Sequence, residues 1–172
     1  MTHYLSLEEV RRLITSVEER RDRLIFLILY ETGCSLSDVV RIKAEDVAGN
    51  TIRIKKPVLR FARISGRLAK ELSEYIKGNK IHTYLFATRQ SKSISVKRVR
   101  QLFNRHSLKW GLKLNPLMLR YYHIAHAYIN GVFIDDISKQ LGITKFRVFQ
   151  VLQQLPVKPR LNYYNNFLSK VY

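Results

Sequence analysis

Ile137-Ser138-Lys139-Gln140-Leu141-Gly142-Ile143-Thr144-Lys145-Phe146-Arg147-Val148 is the stretch on which the fold turns. Ile137, Leu141, Val148 and Val151 fall at helical spacing on either side of Gly142, a residue type that lets a helix end in the left-handed conformation. Ser138, four positions before that glycine, is small enough for two helices to close on each other. The pattern predicts short helices at about 134–140 and 145–154, a helix-turn-helix-like segment at about 134–153. On that reading Thr144, Lys145, Phe146, Arg147 and Gln150 face outward at the start of the second helix, where base edges and phosphates of a duplex lie.

Working outward, a helix is expected over 117–130, with Arg120 followed at helical spacing by His123 and His126. No acidic residue or further histidine lies near them in sequence, so packing or hydrogen bonding is expected rather than a metal site. Tyr121, Tyr122 and Tyr128 read as helix-packing aromatics. Asp135 and Asp136 suit the positive end of a helix dipole. The helix expected over 95–109 sets Lys97, Arg98, Arg100, Arg105 and Lys109 against a core face of Val96, Val99, Leu102, Phe103 and Leu108, and its cations read as phosphate contacts.

The first half begins with a capping box, Ser6 with Glu9, opening a helix that presents Val10, Leu13 and Ile14. Residues 22–31 are apolar nearly all round and predict a central helix, ended by Thr32-Gly33; Ser35 or Ser37 then caps a short one. A turn at Ala48-Gly49-Asn50, an alternating strand over 51–55, an interruption at Pro57 and a second strand over 61–64 predict a hairpin exposed on one face. Arg53, Lys55, Lys56, Arg60 and Arg63 make it basic, and a hairpin tip can enter a minor groove. A helix over 67–77 follows. The fold class is mainly α with a small antiparallel β-sheet: one domain over 1–156 and a basic, tyrosine-rich tail over 157–172.

Charge points to the partner. Among 172 residues, 31 Lys plus Arg face 13 Asp plus Glu, a net charge of +18. A surplus of that size is self-repelling unless a polyanion absorbs it, so nucleic acid is implied, with double-stranded DNA ahead of RNA. Cys34 stands alone, which excludes an intrachain disulfide and a cysteine zinc cage. The first dozen residues are too charged for a signal peptide, and the apolar run 24–30 is too short to cross a bilayer. A soluble, cytoplasmic, nucleoid-associated protein with no cofactor, metal or membrane partner is expected.

Tyr4-Leu5-Ser6-Leu7-Glu8-Glu9-Val10, Arg21-Asp22-Arg23-Leu24 and Tyr30-Glu31-Thr32-Gly33, with Leu36, Asp38, Val39, Ile42 and Glu45-Asp46-Val47, resemble the opening of the catalytic domain of tyrosine recombinases, the phage integrase family. Asn115-Pro116-Leu117-Met118-Leu119-Arg120 resembles its His-x-x-Arg motif, and 131–155 its end. The resemblance covers about 4–152. It implies DNA strand transesterification, in which a tyrosine attacks a phosphate, arginines and a histidine or tryptophan stabilise the phosphorane, and a lysine protonates the leaving oxygen. Mapped onto this chain, Arg120 matches the second arginine and Lys56 (or Lys55) the lysine. Ser35 stands at the first arginine, Leu117 at the motif histidine, Ile143 at the next stabiliser, and Leu152 near the nucleophile. Each lost charge contact is worth on the order of 10²–10³ in rate. The expectation is a DNA-binding protein derived from a recombinase, without cleavage. The alternatives are an active divergent recombinase using Tyr163 or Tyr164, and an RNA-binding protein. The tail is apolar enough to dock on its own domain or on another copy, making a homo-oligomer; sequence leaves both open.

Overall fold

Helix α2 (Arg20–Thr32) runs through the centre because its sequence is apolar on most sides; Leu24, Ile25, Phe26, Ile28 and Leu29 are fully buried. In the computed structural model, which describes residues 4–157, it is wrapped by α1 (Leu7–Thr15), α4 (Gly66–Gly78), α5 (Val96–Trp110) and α6 (Pro116–Ile129). The capping box forms as expected: Ser6 Oγ accepts from the Glu9 amide at 3.2 Å and the Glu9 carboxylate accepts from the Ser6 amide at 2.7 Å. Gly33 ends α2 at φ 62°, and a Cβ there would lie 2.9 Å from Leu141 Cγ. Glycine is needed both for the backbone and for the close approach of α7 (Ile134–Leu141).

After α2, Ser35 rather than Ser37 caps α3 (Leu36–Val39), pairing reciprocally with Asp38. The sheet has three antiparallel strands rather than a bare hairpin: β1 (Val47–Ala48), β2 (Thr51–Ile54) and β3 (Arg60–Arg63), in the order β1-β2-β3. With only two residues, β1 is too short to announce itself by alternation. Ile54 lies opposite Arg60 and Ile52 opposite Ala62, so all four share the inward face.

Two cores result. The larger gathers α1 to α5, the sheet and the first half of α6; a smaller one holds Ile124, Ile137, Leu141, Val148 and Val151 from α6, α7 and α8 (Lys145–Gln154). The helix-turn-helix pattern therefore packs as a satellite on α6. A polar seam joins it to the body. The Gln140 side-chain amide accepts from Arg63 N at 3.1 Å and donates to the carbonyls of Arg63 and Glu31, both at 3.2 Å. It pairs the open edge of β3 as a strand would. His126 is buried, as a packing residue should be: Tyr30 Oη lies 2.7 Å from its Nδ1 and the Leu5 carbonyl 2.9 Å from its Nε2. Tyr122 stacks on its ring.

Candidate nucleic-acid interface

Two helix starts border one cleft. Ser35 and Leu36 open α3; Asn115 caps α6 through the Met118 amide at 2.9 Å, leaving Leu117 in its first turn, half exposed. One turn later comes Arg120. Together with Arg100 and Asn104 of α5 these side chains line an open cleft of about 590 Å³. Ser35 thus meets Leu117 and Arg120, a pair one helical turn apart and about eighty residues further along the chain, at one place. Arg120 Nη2 also donates to the Leu141 carbonyl at 3.3 Å, so it caps the end of α7 while facing the cleft. Burial, then the neighbouring Arg60 charge, holds its pKa below the ordinary arginine value. Cys34 also lines this cleft, but burial pushes its thiol up to about 12, so at neutral pH it is protonated and a poor nucleophile.

Lys56 does not join that group. It lines a second cleft, past Asp38 of α3, with Arg41, Lys43, Lys55 and Tyr84. Arg41 and Lys43 were not singled out from sequence; the only signal was that they flank the buried Ile42. The other hairpin cations are largely engaged. Arg53 and Lys55 both reach Asp46 Oδ1, at 2.9 and 3.1 Å, and both contact Glu45. Burial is the largest single influence on the Asp46 carboxyl and opposes its ionisation, but the Lys43 amide, donating at 3.0 Å, and then Lys55 and Arg53 hold it below its usual range.

Arg60 requires a correction. Expected on the basic face of the hairpin, it is instead only 7% exposed. Its Nη2 pairs with the buried Asp38 at 3.2 Å, its Nε donates to the Gln140 carbonyl at 3.0 Å, and its Nη1 reaches the carbonyls of Lys56 and Val58. It pins together α3, α7 and the hairpin tip. Arg63, by contrast, is exposed on the outer face.

Helix α5 keeps its charges outside. Lys97, Arg98, Arg100, Arg105 and Lys109 are exposed, and among the described residues none is in an ion pair; Arg98 donates to Gln101 Oε1 at 3.2 Å. Leu108, expected in the core, is 84% exposed, because it lies on the same side of the helix as Gln101 while Val99, Phe103 and His106 take the inner side. On α8 the outward residues are more occupied. Lys145 Nζ lies 2.6 Å from Asp135, and Arg147 donates to Tyr121 Oη and to Gln150 Oε1, both at 3.2 Å. Thr144 caps the helix through the Arg147 amide. Ile143 lines a separate groove beside the hairpin, and Leu152 packs onto the satellite core. Tyr163 and Tyr164 lie outside the described residues.

The model of the phage integrase family matches residues 3–151. This chain belongs to that family. It is 29% identical over 168 residues to the tyrosine recombinase XerA of Pyrococcus horikoshii, covering 90% of this chain and 57% of the relative. With XerA of Pyrococcus furiosus the identity is 30% over 165 residues, covering 90% and 58%. The chain therefore spans less than two thirds of the length of these relatives. The fold agrees: a crystal structure of XerA recombinase superposes with a TM-score of 0.80 at 20% identity, covering 99% of this chain and 63% of that one. XerH site-specific recombinase bound to its difH substrate in a pre-cleavage complex gives 0.74 at 18% identity, covering 86% and 49%. The fold is that of this family, mainly helical with a small antiparallel sheet, and the cleft formed by α3, α5 and α6 holds Ser35, Leu117 and Arg120, whereas Lys56, Ile143 and Leu152 lie outside it.

Proposed function

We propose that this chain is a recombinase-derived protein that grips double-stranded DNA without cutting it. The observation that carries the reading is the cleft itself. Of the motif positions that line it, Ser35, Leu117 and Arg120, only Arg120 carries a charge. Ser35 serves as a helix cap, Leu117 cannot donate a hydrogen bond, and the nucleophile position falls near Leu152, which packs onto the satellite core. What persists is phosphate-binding capacity. Arg100 and Arg120 line the cleft, Lys56, Arg41 and Lys43 line its neighbour, and the exposed cations of α5 flank them. Lys145, Arg147, Thr144 and Gln150 of α8, with Arg53, Lys55 and Arg63 of the hairpin, form the margins of that surface.

The relatives whose structures hold DNA, among them XerH on difH, support duplex DNA as the partner. The net charge of +18 makes binding steeply salt-dependent. Within a cell such a protein would sit on the nucleoid in the cytoplasm. Residues 157–172 would add self-association, one copy reaching another. Titrating a labelled duplex across a salt series, with structured RNA as competitor, tests the reading. Duplex preference with a steep linear fall of log affinity against log salt supports it; RNA preference, or indifference to both, overturns it.

A further inference from the structure

The outer face of the sheet carries an aromatic ring among its cations. Strand alternation puts Thr51 and Arg53 of β2 and Phe61 and Arg63 of β3 on that side, with Arg53 directly opposite Phe61 and Thr51 opposite Arg63. Phe26, Phe86 and Phe103 are buried in the core, whereas Phe61 is 62% exposed. Its ring borders an open groove of about 950 Å³ between the hairpin and α7. Leu59, Val132 and Ile143 add apolar surface to that groove, Arg63 and Lys139 stand exposed along it, and Asp136 adds a carboxylate. Only the α7–α8 turn separates the groove from the cleft that holds Arg120. Arg120 donates to the Leu141 carbonyl at 3.3 Å, and the next two residues, Gly142 and Ile143, line the groove.

We propose that this groove binds an unpaired base of DNA, stacked on Phe61 and projecting from a duplex held in the neighbouring cleft. This rests on the DNA-binding function proposed above. A fully paired duplex stacks its base faces away and leaves Phe61 nothing to cover it. A base freed from pairing has flat faces that stack on an aromatic ring, a polar edge, and a phosphate on either side. The groove answers each part: Phe61 meets the face, Asp136 accepts from an exocyclic amino group, and Arg63 and Lys139 meet the phosphates. Charge favours this occupant over a segment of the chain itself. Residues 157–172 carry Lys158, Arg160 and Lys170 and no acid, so they would bring like charge to Arg63 and Lys139. A base that is already unpaired also enters without the cost of breaking a pair.

The test titrates the full chain, at one salt concentration, with a plain duplex, the same duplex bearing a central bulge of unpaired bases, and that bulge rebuilt from abasic nucleotides. The bulged duplex is expected to bind on the order of tenfold more tightly than the plain one. The abasic bulge, which keeps the phosphates and the flexibility, should fall back to within about twofold of the plain duplex. Phe61→Ala should erase the preference and leave plain-duplex affinity within about twofold, while Phe61→Trp keeps it. Phe61 is exposed, so neither substitution opens the core, and circular dichroism verifies the fold. Equal binding of bulged and plain duplex, or a preference that survives the abasic bulge or Phe61→Ala, overturns the assignment. So does tighter binding of the same bulge in RNA, or loss of self-association on Phe61→Ala with the bulge preference intact, which would make the groove a contact between copies. Failure to retain any of the DNAs overturns the DNA-binding function as well, a distinct outcome.

Discussion

The hairpin and α5 are equally basic in sequence and differ in what the fold does with the charge. In the hairpin, Arg53 and Lys55 are drawn onto Asp46 and Glu45, and Arg60 is buried against Asp38. On α5 the cations stand free of acids on an exposed face. A run of positive residues therefore says little about a ligand until its carboxylate neighbours are located. Charge already spent on internal pairs holds the protein together; charge left over is available to a polyanion.

The largest effect expected from that contrast is on stability. Arg60→Ala leaves Asp38 buried without its cation and severs the links to Gln140 and the hairpin tip, so it should cost about 3–5 kcal/mol in urea unfolding. A loss below about 1 kcal/mol would show that the ion pair is incidental. Next comes binding. Arg100→Gln with Arg105→Gln should lower the slope of log affinity against log salt by about two, whereas Arg53→Gln with Lys55→Gln should lower it by less than about one. Equal slopes for the two double variants would erase the distinction between the regions.

Acid should separate stability from charge. Burial pulls His123 down to about 4 and also lowers His126. Each takes up its proton at lower pH in the folded chain than in the unfolded one, whose ordinary value is 6.5. The His123 contribution is thus intact above pH 6.5 and is lost as pH falls toward 4, and that of His126 is lost in the same direction. The urea midpoint should drop over that window, and a flat profile would contradict the burial of these rings. The smallest effect belongs to Ser35: as a cap, Ser35→Ala should cost about 1 kcal/mol without altering the salt slope.

Much of this was legible beforehand, for local reasons. The capping box at Ser6, the buried α2 and the stop at Gly33 depend on residues near each other in the chain, and the structure has each of them. The family resemblance singled out Ser35, Leu117 and Arg120 one by one, and the structure brings them to one cleft. What stayed hidden depended on partners distant in sequence. The alternation Arg60, Ala62, Ile64 already put Arg60 on the inward face, but its partner, Asp38, lies in α3, so an inward arginine read as a surface one. Likewise the cations of α8 looked free until Asp135 and Tyr121 were brought beside them. The outward turn of Leu108 followed from helical phase, which a list of apolar residues ignores.

The proposed retention of DNA grip with loss of strand cleavage is tested by incubating the full chain with a nicked suicide duplex at a concentration that shifts all of it on a native gel, then resolving the mixture under denaturing conditions. The expected result is free DNA strands and free protein. A denaturant-resistant protein–DNA adduct, abolished by Tyr163→Phe or Tyr164→Phe, would contradict it.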